Sequence, residues 1–169
     1  MTEDVLIRDA LASDADEVSE IYNHYVRESV VTFDEEEGTP AEWREKHERL
    51  RGAGLPFLVA VDRASGRVLG YALAQPWRVK SAYRYTVEDS IYLGPDAAGR
   101  GIGRELLVAL VDASRVAGLR QMIAVITGSG AEASIALHAK LGFVETGRLS
   151  DVGVKFGRTI GVVLLQKEL

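Results

Sequence analysis

The sequence predicts an α/β protein in which helices flank one mixed β-sheet. The chain has 169 residues, of which 47% are hydrophobic, enough to form one ordinary domain with its own core. Stretches with helical spacing of apolar residues alternate with short runs rich in β-branched and aromatic residues. No internal repeat and no Pro/Gly/Ser-rich linker divides the chain, so we expect a single domain over residues 1–169.

The N-terminal segment predicts a strand followed by a helix. Val5–Arg8 is a short apolar run that ends in charge. Ser13, with Asp16 three residues later, is similar to a capping box and predicts the start of a helix of about 15 residues. Apolar residues at helical spacing then follow: Val18, Ile21, Tyr22, Tyr25 and Val26.

A second helix and a β-hairpin come next. Thr39-Pro40-Ala41-Glu42 combines a capping threonine, a proline at the first helical position and a glutamate at the third, and it predicts a helix to about Arg51. Pro56–Val61 and Arg67–Gln75 are rich in strand-forming residues. The turn-like residues 62–66 join them, so we expect an antiparallel pair.

The remainder of the chain predicts strands and helices in alternation. The complete order is β-α-α-β-β-β-α-β-α-β-β, as expected for helices around one sheet. The predicted elements are a strand over Tyr83–Leu93, a helix over Gly103–Ala117, a strand over Gln121–Thr127, a helix over Ala133–Leu141, and strands over Phe143–Thr146 and Gly161–Gln166.

Composition excludes several classes of protein. Twenty Lys and Arg against 25 Asp and Glu give a net charge of −5, and no basic run occurs, so we expect no nucleic-acid partner. No apolar stretch approaches the length of a membrane span, and the N-terminus lacks the layout of a signal peptide, so we expect a cytoplasmic protein without membrane contact. The chain has no cysteine, and neither His24 nor His47 has a partner at metal-ligand spacing, so no metal is expected.

A glycine-rich loop over residues 93–104 lies between a predicted strand and a predicted helix. Glycines allow a ligand to approach the backbone, and the N–H groups of a helix's first turn attract anions, so the loop suits a diphosphate. The loop ends in Gly-Ile-Gly-Arg instead of the Gly-Lys-Ser/Thr of a Walker loop. A dinucleotide motif would need glycine where Arg104 stands after Gly99 and Gly101.

This unit resembles motif A of the GNAT superfamily of acetyl-CoA-dependent N-acyltransferases, with Gly101 and Gly103 at its glycine positions. Residues 134–143 look like motif B, a helix that ends in Gly-Phe. Further segments resemble the phosphinothricin N-acetyltransferase family, whose relatives also acetylate methionine sulfone and methionine sulfoximine. They are Thr32-Phe33, Trp77-Arg78, residues 83–88, Leu137-His138 and residues 152–158. The resemblance implies a GNAT-type sheet, acetyl-CoA as co-substrate, a small-molecule amine as acceptor and a homodimer.

The resemblance also implies roles for individual residues. It makes Glu88 the general base and His138 the acid that protonates the departing thiolate. The implied cofactor-binding residues are Ile91, Tyr92, Leu93, Gly99, Arg100, Gly101, Ile102, Gly103, Arg104 and Ser134. The implied substrate-binding residues are Phe33, Trp77, Arg78, Lys80, Tyr83, Thr86, Val87 and Lys155.

Chemistry supports a base at Glu88. Only a neutral amine attacks a thioester, and an amine with a pKa of about 8–10 is mostly protonated at pH 7. Glu88 lies on the strand that leads into the glycine loop, although a lone strand glutamate is more often a solvated edge residue. Asp89 faces the opposite side of the strand and is expected to be structural only. Among the basic residues, Arg78, Lys80 and Lys155 suit the carboxylate of an amino acid.

Three departures from the family pattern stand out. Ala98 occupies a position where relatives usually have Arg or Gln, and Ala131 one where they commonly have Asn. Losing two polar contacts predicts looser binding of acetyl-CoA without loss of a site built on backbone N–H groups. Thr159-Ile160-Gly161 replaces the common Trp-Leu-Asp, which leaves the substrate pocket or dimer contact open to change.

Two alternatives to a small-molecule acetyltransferase remain. A peptide or protein N-acetyltransferase would share the fold but present an open, uncharged acceptor groove. A CoA-binding module without catalysis would explain Ala98 and Ala131, although it would not need Glu88 and His138.

Overall fold

The computed structural model describes residues 4–169, and it contains four helices and seven strands in the predicted order. The strands are β1 (Val5–Asp9), β2 (Phe57–Asp62), β3 (Val68–Pro76), β4 (Thr86–Leu93), β5 (Gln121–Thr127), β6 (Val144–Lys155) and β7 (Arg158–Glu168). The helices are α1 (Ala15–Glu28), α2 (Pro40–Gly52), α3 (Ile102–Val116) and α4 (Glu132–Lys140). The predicted α/β class is confirmed.

All seven strands form one mixed sheet in the order β1-β2-β3-β4-β5-β7-β6. Neighbouring strands are antiparallel except β4 and β5, which run parallel. The predicted hairpin between β2 and β3 is confirmed, with a register shift between Ala60 and Val61. No helix within residues 4–169 is long and apolar enough to span a bilayer.

Alternation along the central strands gives the sheet two different apolar faces. Tyr71 and Leu73 of β3 pack with α1 and α2 on one face, in a cluster that includes Trp43. Ala72 and Ala74 of the same strand pack with α3 on the other face. Because neighbouring residues of a strand point to opposite faces, one strand can supply side chains to both layers.

The two helices of the first layer begin differently. At α2 the capping box is confirmed, because the Thr39 N–H donates to Glu42 Oε2 (2.6 Å) and the Glu42 N–H donates to Thr39 Oγ1 (3.3 Å). At α1 the predicted box of Ser13 and Asp16 was wrong. The helix begins one residue later, with Asp14 as its N-cap, and the Asp14 side chain accepts from the Leu11 N–H (2.8 Å) and pairs with Arg8 (2.7 Å).

Three predicted boundaries need correction. Ser81–Tyr83 forms a short 3₁₀ turn, so β4 starts at Thr86. β6 and β7 are much longer than predicted and pair along nearly their whole length. β6 lies at the edge of the sheet, is exposed along most of its length and has register shifts. Since neither of its faces is buried, no alternation of apolar residues marked its length in the sequence.

Candidate active site

A cleft of about 890 Å³ opens where β4 and β5 separate. The two strands pair only from Thr86 to Glu88 against Gln121 to Ile123. Beyond that point residues 90–93 and 124–127 line opposite walls of the cleft. The other edges of β4 and β5 bond to β3 and β7, so among residues 4–169 the edges that face the cleft have no strand partner beyond Glu88 and Ile123. An extended ligand with amide groups can bind to such backbone.

Glu88 lies where the two strands begin to separate. Its side chain is half-buried, lines the cleft and makes no hydrogen bond or ion pair with another residue in the range 4–169. Burial raises the pKa of the Glu88 carboxyl, as does the neighbouring Asp89, while the positive charges of Arg78 and Lys46 lower it. The net shift is upward, which suits a group that must take up a proton near neutral pH.

His138 of α4 also lines the cleft, but both of its ring nitrogens are occupied. Nδ1 lies 2.7 Å from the backbone oxygen of Ser134, and Nε2 lies 2.9 Å from Asp89 Oδ2. The His138 side chain is 2% exposed, as is that of Asp89. The acid role expected for His138 is not supported by this geometry, because neither nitrogen is free to protonate a leaving group.

The glycine loop reaches α3 through backbone that only glycine adopts easily. Gly101 has a φ of 80° and is the N-cap of α3, so no side chain caps the helix's first N–H groups. Gly103 in the first turn lines the cleft. These features fit the predicted anion site, since uncapped N–H groups at a helix start attract phosphate.

The structure brings about half of the predicted cofactor-binding residues to the cleft. Those that line it are Ile91, Tyr92, Leu93, Gly103 and Ser134. Those outside its lining are Gly99, Arg100, Gly101, Ile102 and Arg104. The Ile102 side chain is completely buried in the core under α3, so any contact of Ile102 with a ligand would have to come from its backbone. Arg100 and Arg104 are exposed at the loop.

A mixed aromatic and charged surface, which we call the α2 side of the cleft, is formed by Phe33, Asp34, Trp43, Lys46 and Glu88. Trp43 belongs to a cluster of aromatic rings with Tyr22 and Tyr71. The Tyr22 hydroxyl bonds to Thr32 Oγ1 (2.7 Å) and donates to Asp34, which holds the loop after α1 against the cleft. Tyr71 is fully buried in the core and also lines the cleft, and Tyr22 and Tyr25 pack against the same cluster and line the cleft as well.

Phe33 is the one predicted substrate-binding residue among those that line the cleft. The end of the β6–β7 hairpin holds it in place. A Cβ at Gly153 would lie 2.3 Å from the Phe33 ring, so only glycine permits this approach. Lys155, which was expected to bind substrate, is buried, and its Nζ donates to the backbone oxygen of Thr32 (3.0 Å). Lys155 therefore supports the loop that carries Phe33.

The other predicted substrate-binding residues lie outside the cleft lining. Val87 is 1% exposed and packs in the core on the α3 face, because strand alternation turns it away from Glu88. Thr86 lies where β4 still pairs with β5. The remaining four, in the segment between β3 and β4, are Trp77, Arg78, Lys80 and Tyr83. Arg78 lies 4.6 Å above the Trp77 ring.

Sequence reasoning missed Lys46, Asp34 and Trp43 as cleft residues. Lys46 and Trp43 could have been found from the sequence of α2, because positions three apart on a helix lie on the same face. Trp43 is an apolar residue on a highly charged helix, and Lys46 is next along its face. Asp34 had no comparable signal, because it lies in a loop outside any periodic element.

The departures Ala98 and Ala131 both line the cleft, which agrees with a role for these positions in ligand contact. Ala131 is also the N-cap of α4 and provides no side-chain cap. In Thr159-Ile160-Gly161, by contrast, Thr159 and Ile160 pair with the end of β6 and are outside the cleft lining.

Comparison with known proteins shows which family the chain belongs to. Residues 18–143 match the Acetyltransferase (GNAT) family. The chain is 45% identical to a phosphinothricin N-acetyltransferase of Alcaligenes faecalis, over 90% of this chain and 76% of that protein. It is 40% identical to the L-methionine sulfoximine/L-methionine sulfone acetyltransferase of Pseudomonas paraeruginosa, over 96% of this chain and 94% of that protein. A phosphinothricin acetyltransferase from Sinorhizobium meliloti, solved with acetyl-CoA, superposes with a TM-score of 0.93 at 43% identity, over 98% of this chain and 89% of that one.

The chain therefore belongs to the GNAT acetyltransferase family and is an acetyl-CoA-dependent N-acyltransferase, which sets aside the non-catalytic alternative. Within the family its similarity is to the phosphinothricin and methionine sulfoximine/sulfone acetyltransferases, as the sequence predicted.

Proposed function

We propose that this enzyme transfers the acetyl group of acetyl-CoA to the primary amine of a small amino acid or amino-acid analogue of the phosphinothricin or methionine sulfone type. The observation that carries the proposal is the unpaired Glu88 carboxyl at the point where β4 and β5 separate. The names of the relatives support the acceptor class.

In the proposed reaction Glu88 accepts a proton from the acceptor's ammonium group, directly or through one water molecule. The neutral nitrogen then attacks the thioester carbonyl within a ternary complex, a C–N bond forms and the C–S bond breaks. The electron pair of the C–S bond leaves with sulfur, and the acylated nitrogen loses its second proton, which the thiolate takes up directly or through water. A thiolate with a parent pKa of about 8.5 leaves readily, so the step does not depend on a general acid.

Acetyl-CoA would be held largely by backbone. The N–H groups of Ile102 and Gly103 suit its diphosphate, and the free edges of residues 90–93 and 124–127 suit the amides of its extended arm. Arg100 and Arg104, exposed beside the loop, suit the remaining negative charge.

A thiol-release assay tests this function. The purified enzyme is given acetyl-CoA and a panel of amines that includes phosphinothricin, L-methionine sulfone, the proteinogenic amino acids and a carboxyl-blocked form of each. We expect release of CoA only with primary amines that carry a neighbouring carboxylate. Equal rates with carboxyl-blocked amines would contradict an amino-acid acceptor and favour a peptide or protein amine.

We also propose that the enzyme is a homodimer that uses the edge strand β6. This strand exposes Leu149, Val152 and Val154, which are 49%, 54% and 67% exposed. An exposed apolar edge strand is an association site in general, since it offers both hydrophobic surface and unpaired backbone. Sedimentation of the parent and of Val154→Lys should give a dimer and a larger monomer fraction respectively; a monomeric parent would contradict the proposal. The cytoplasmic location, and the absence of nucleic-acid and membrane partners, stay predictions.

A further inference from the structure

Lys46 is the only lysine or arginine that lines the cleft among residues 4–169. Its side chain leaves α2 over the Trp43 ring, with Nζ 5.0 Å from the ring centre. Within the described part of the chain, its ammonium group makes no hydrogen bond and no ion pair. A half-buried lysine that faces a cavity with all three donors free has the chemistry of an anion-binding group.

The acidic residues nearby do not use this cation as their partner. Glu37 pairs with Arg27, Glu42 caps α2 at Thr39, and Asp34 accepts from Tyr22. Among residues 4–169, the side chains of Glu36 and Glu88 line the cleft without a hydrogen bond or ion pair; Glu36 is exposed to water, whereas Glu88 is half-buried. The α2 side of the cleft therefore presents one cation and one anion that are both free to bind a ligand of mixed charge.

An amino acid carries this mixed charge on adjacent atoms, since its ammonium and carboxylate groups are attached to the same carbon. We propose that Lys46 binds the α-carboxylate of the acceptor while Glu88 receives its amine. The inference rests on the proposed function and adds the residue that selects the carboxylate. It assigns Lys46 a specificity role in substrate binding, while Glu88 is the group that receives the proton.

The basic residues expected from the sequence fit this role less well. Lys155 is buried and committed to the Thr32 carbonyl, so it has no free access to a ligand. Arg78 is exposed and stacked on Trp77, and Lys80 is exposed outside the cleft lining. In water an exposed cation contributes little to a pair, whereas a partly desolvated one contributes more.

The electrostatics of the site agree with the geometry. Burial lowers the pKa of Lys46, the charge of Arg49 lowers it further, and Asp34 and Glu88 raise it in part. A carboxylate bound at Lys46 would favour the charged form in the same way as those two acids. Keeping Lys46 charged in the free cleft therefore costs free energy, and a bound carboxylate would offset that cost.

The test compares three enzymes with two acceptors. The enzymes are the parent, Lys46→Met and Arg49→Met, and the acceptors are L-methionine sulfone and its α-carboxamide. Arg49 is a matched control because it lies on the same helix, carries the same charge and is exposed outside the cleft lining. Each variant is compared with the parent on the same acceptor, so that the different basicity of the two amines cancels.

For Lys46→Met we expect the KM of L-methionine sulfone to rise about 10-fold or more, because a charge-assisted hydrogen bond is lost. The KM of the carboxamide should change less than about 2-fold, and Arg49→Met should change neither by more than that. Lys46→Arg should recover part of the loss. The dissociation constant for CoA, measured by titration calorimetry, should be the same in Lys46→Met and the parent, which also shows that the variant is folded.

Equal effects of Lys46→Met on the two acceptors, or no effect on either, would overturn the role of Lys46 while leaving the proposed function intact. A parent that acetylates neither acceptor, nor any other amino acid of the panel, would overturn the proposed function and the inference together.

Discussion

His138 Nε2 lies 2.9 Å from Asp89 Oδ2, and this buried contact joins α4 to β4 across the inner end of the cleft. Since a carbonyl can only accept, the contact of His138 Nδ1 with the Ser134 oxygen requires a proton on Nδ1. Burial lowers the pKa of His138, but the hydrogen bond and charge of Asp89 and the bond to Ser134 raise it by more. The raised pKa favours the protonated form of His138 beside Asp89, and the contact links α4 to β4.

The first prediction concerns this pair. Asp89→Asn should destabilise the fold by about 1–3 kcal/mol at pH 6, because it leaves a buried imidazolium without its anion. A histidine with a raised folded pKa contributes stability below its unfolded pKa of about 6.5 and loses that contribution as pH rises through the folded value. The loss caused by Asp89→Asn should therefore shrink towards pH 9.

Urea unfolding of parent and variant at a series of pH values measures this difference. Asp96→Asn is the matched control, since Asp96 is exposed and far less constrained, and it should show no such trend. A destabilisation by Asp89→Asn that stays constant from pH 6 to pH 9 would mean that His138 is neutral in the folded enzyme.

The second prediction tests the base. Glu88→Gln should lower kcat at neutral pH by at least about 10-fold, because the variant cannot take the proton of the ammonium group. Raising the pH should restore part of the loss, since free amine is then present without a base. Steady-state rates of the parent and of Glu88→Gln at two or more pH values test this prediction. Parent-like rates of the variant at neutral pH would mean that Glu88 is not the base.

The third prediction is the pH profile of kcat/KM in the parent. Because the pKa of Glu88 is raised, the acid limb should lie above the ordinary glutamate value of about 4.3. Lys46 lowers that pKa, so Lys46→Met should move the limb to higher pH. An acid limb that stays in place in Lys46→Met would show that the two charges are not coupled.

The fourth prediction concerns the two alanines that line the cleft. Ala98→Arg combined with Ala131→Asn should tighten CoA binding by about 1–3 kcal/mol, or roughly 5-fold to 150-fold, with kcat little changed. These contacts lie away from the reacting carbonyl and stabilise ground and transition states alike. Titration calorimetry with CoA gives the dissociation constants directly.

The single variant Ala131→Asn separates binding from folding in this test. Asn is also a good N-cap, so Ala131→Asn should stabilise α4 by about 1 kcal/mol whether or not it touches the ligand. Thermal unfolding without CoA measures this stabilisation of α4 separately from any effect on ligand binding. A double variant with the parent's dissociation constant would mean that Arg100, Arg104 or the backbone already provides these contacts.

Local signals in the sequence predicted most of the fold. Helix starts such as Thr39 with Glu42 satisfy backbone groups within a few residues, so they act the same in any context. The glycine loop before α3 was predictable for the same reason. β6 was not, because an edge strand with two exposed faces has no pattern of buried residues to reveal it.

The sequence by itself determined the family and the order of the elements, since motifs and periodic patterns depend on residues that are adjacent or regularly spaced along the chain. The resemblance to the family then made Glu88 the candidate base. Only the tertiary structure decided which charges meet. It places Lys155 Nζ at a backbone oxygen of the loop before α2 and His138 at Asp89. It also makes Lys46 the unpaired cation of the cleft among residues 4–169. Burial and pairing of charges depend on contacts between distant segments, and the spacing of residues along the chain carries no information about them.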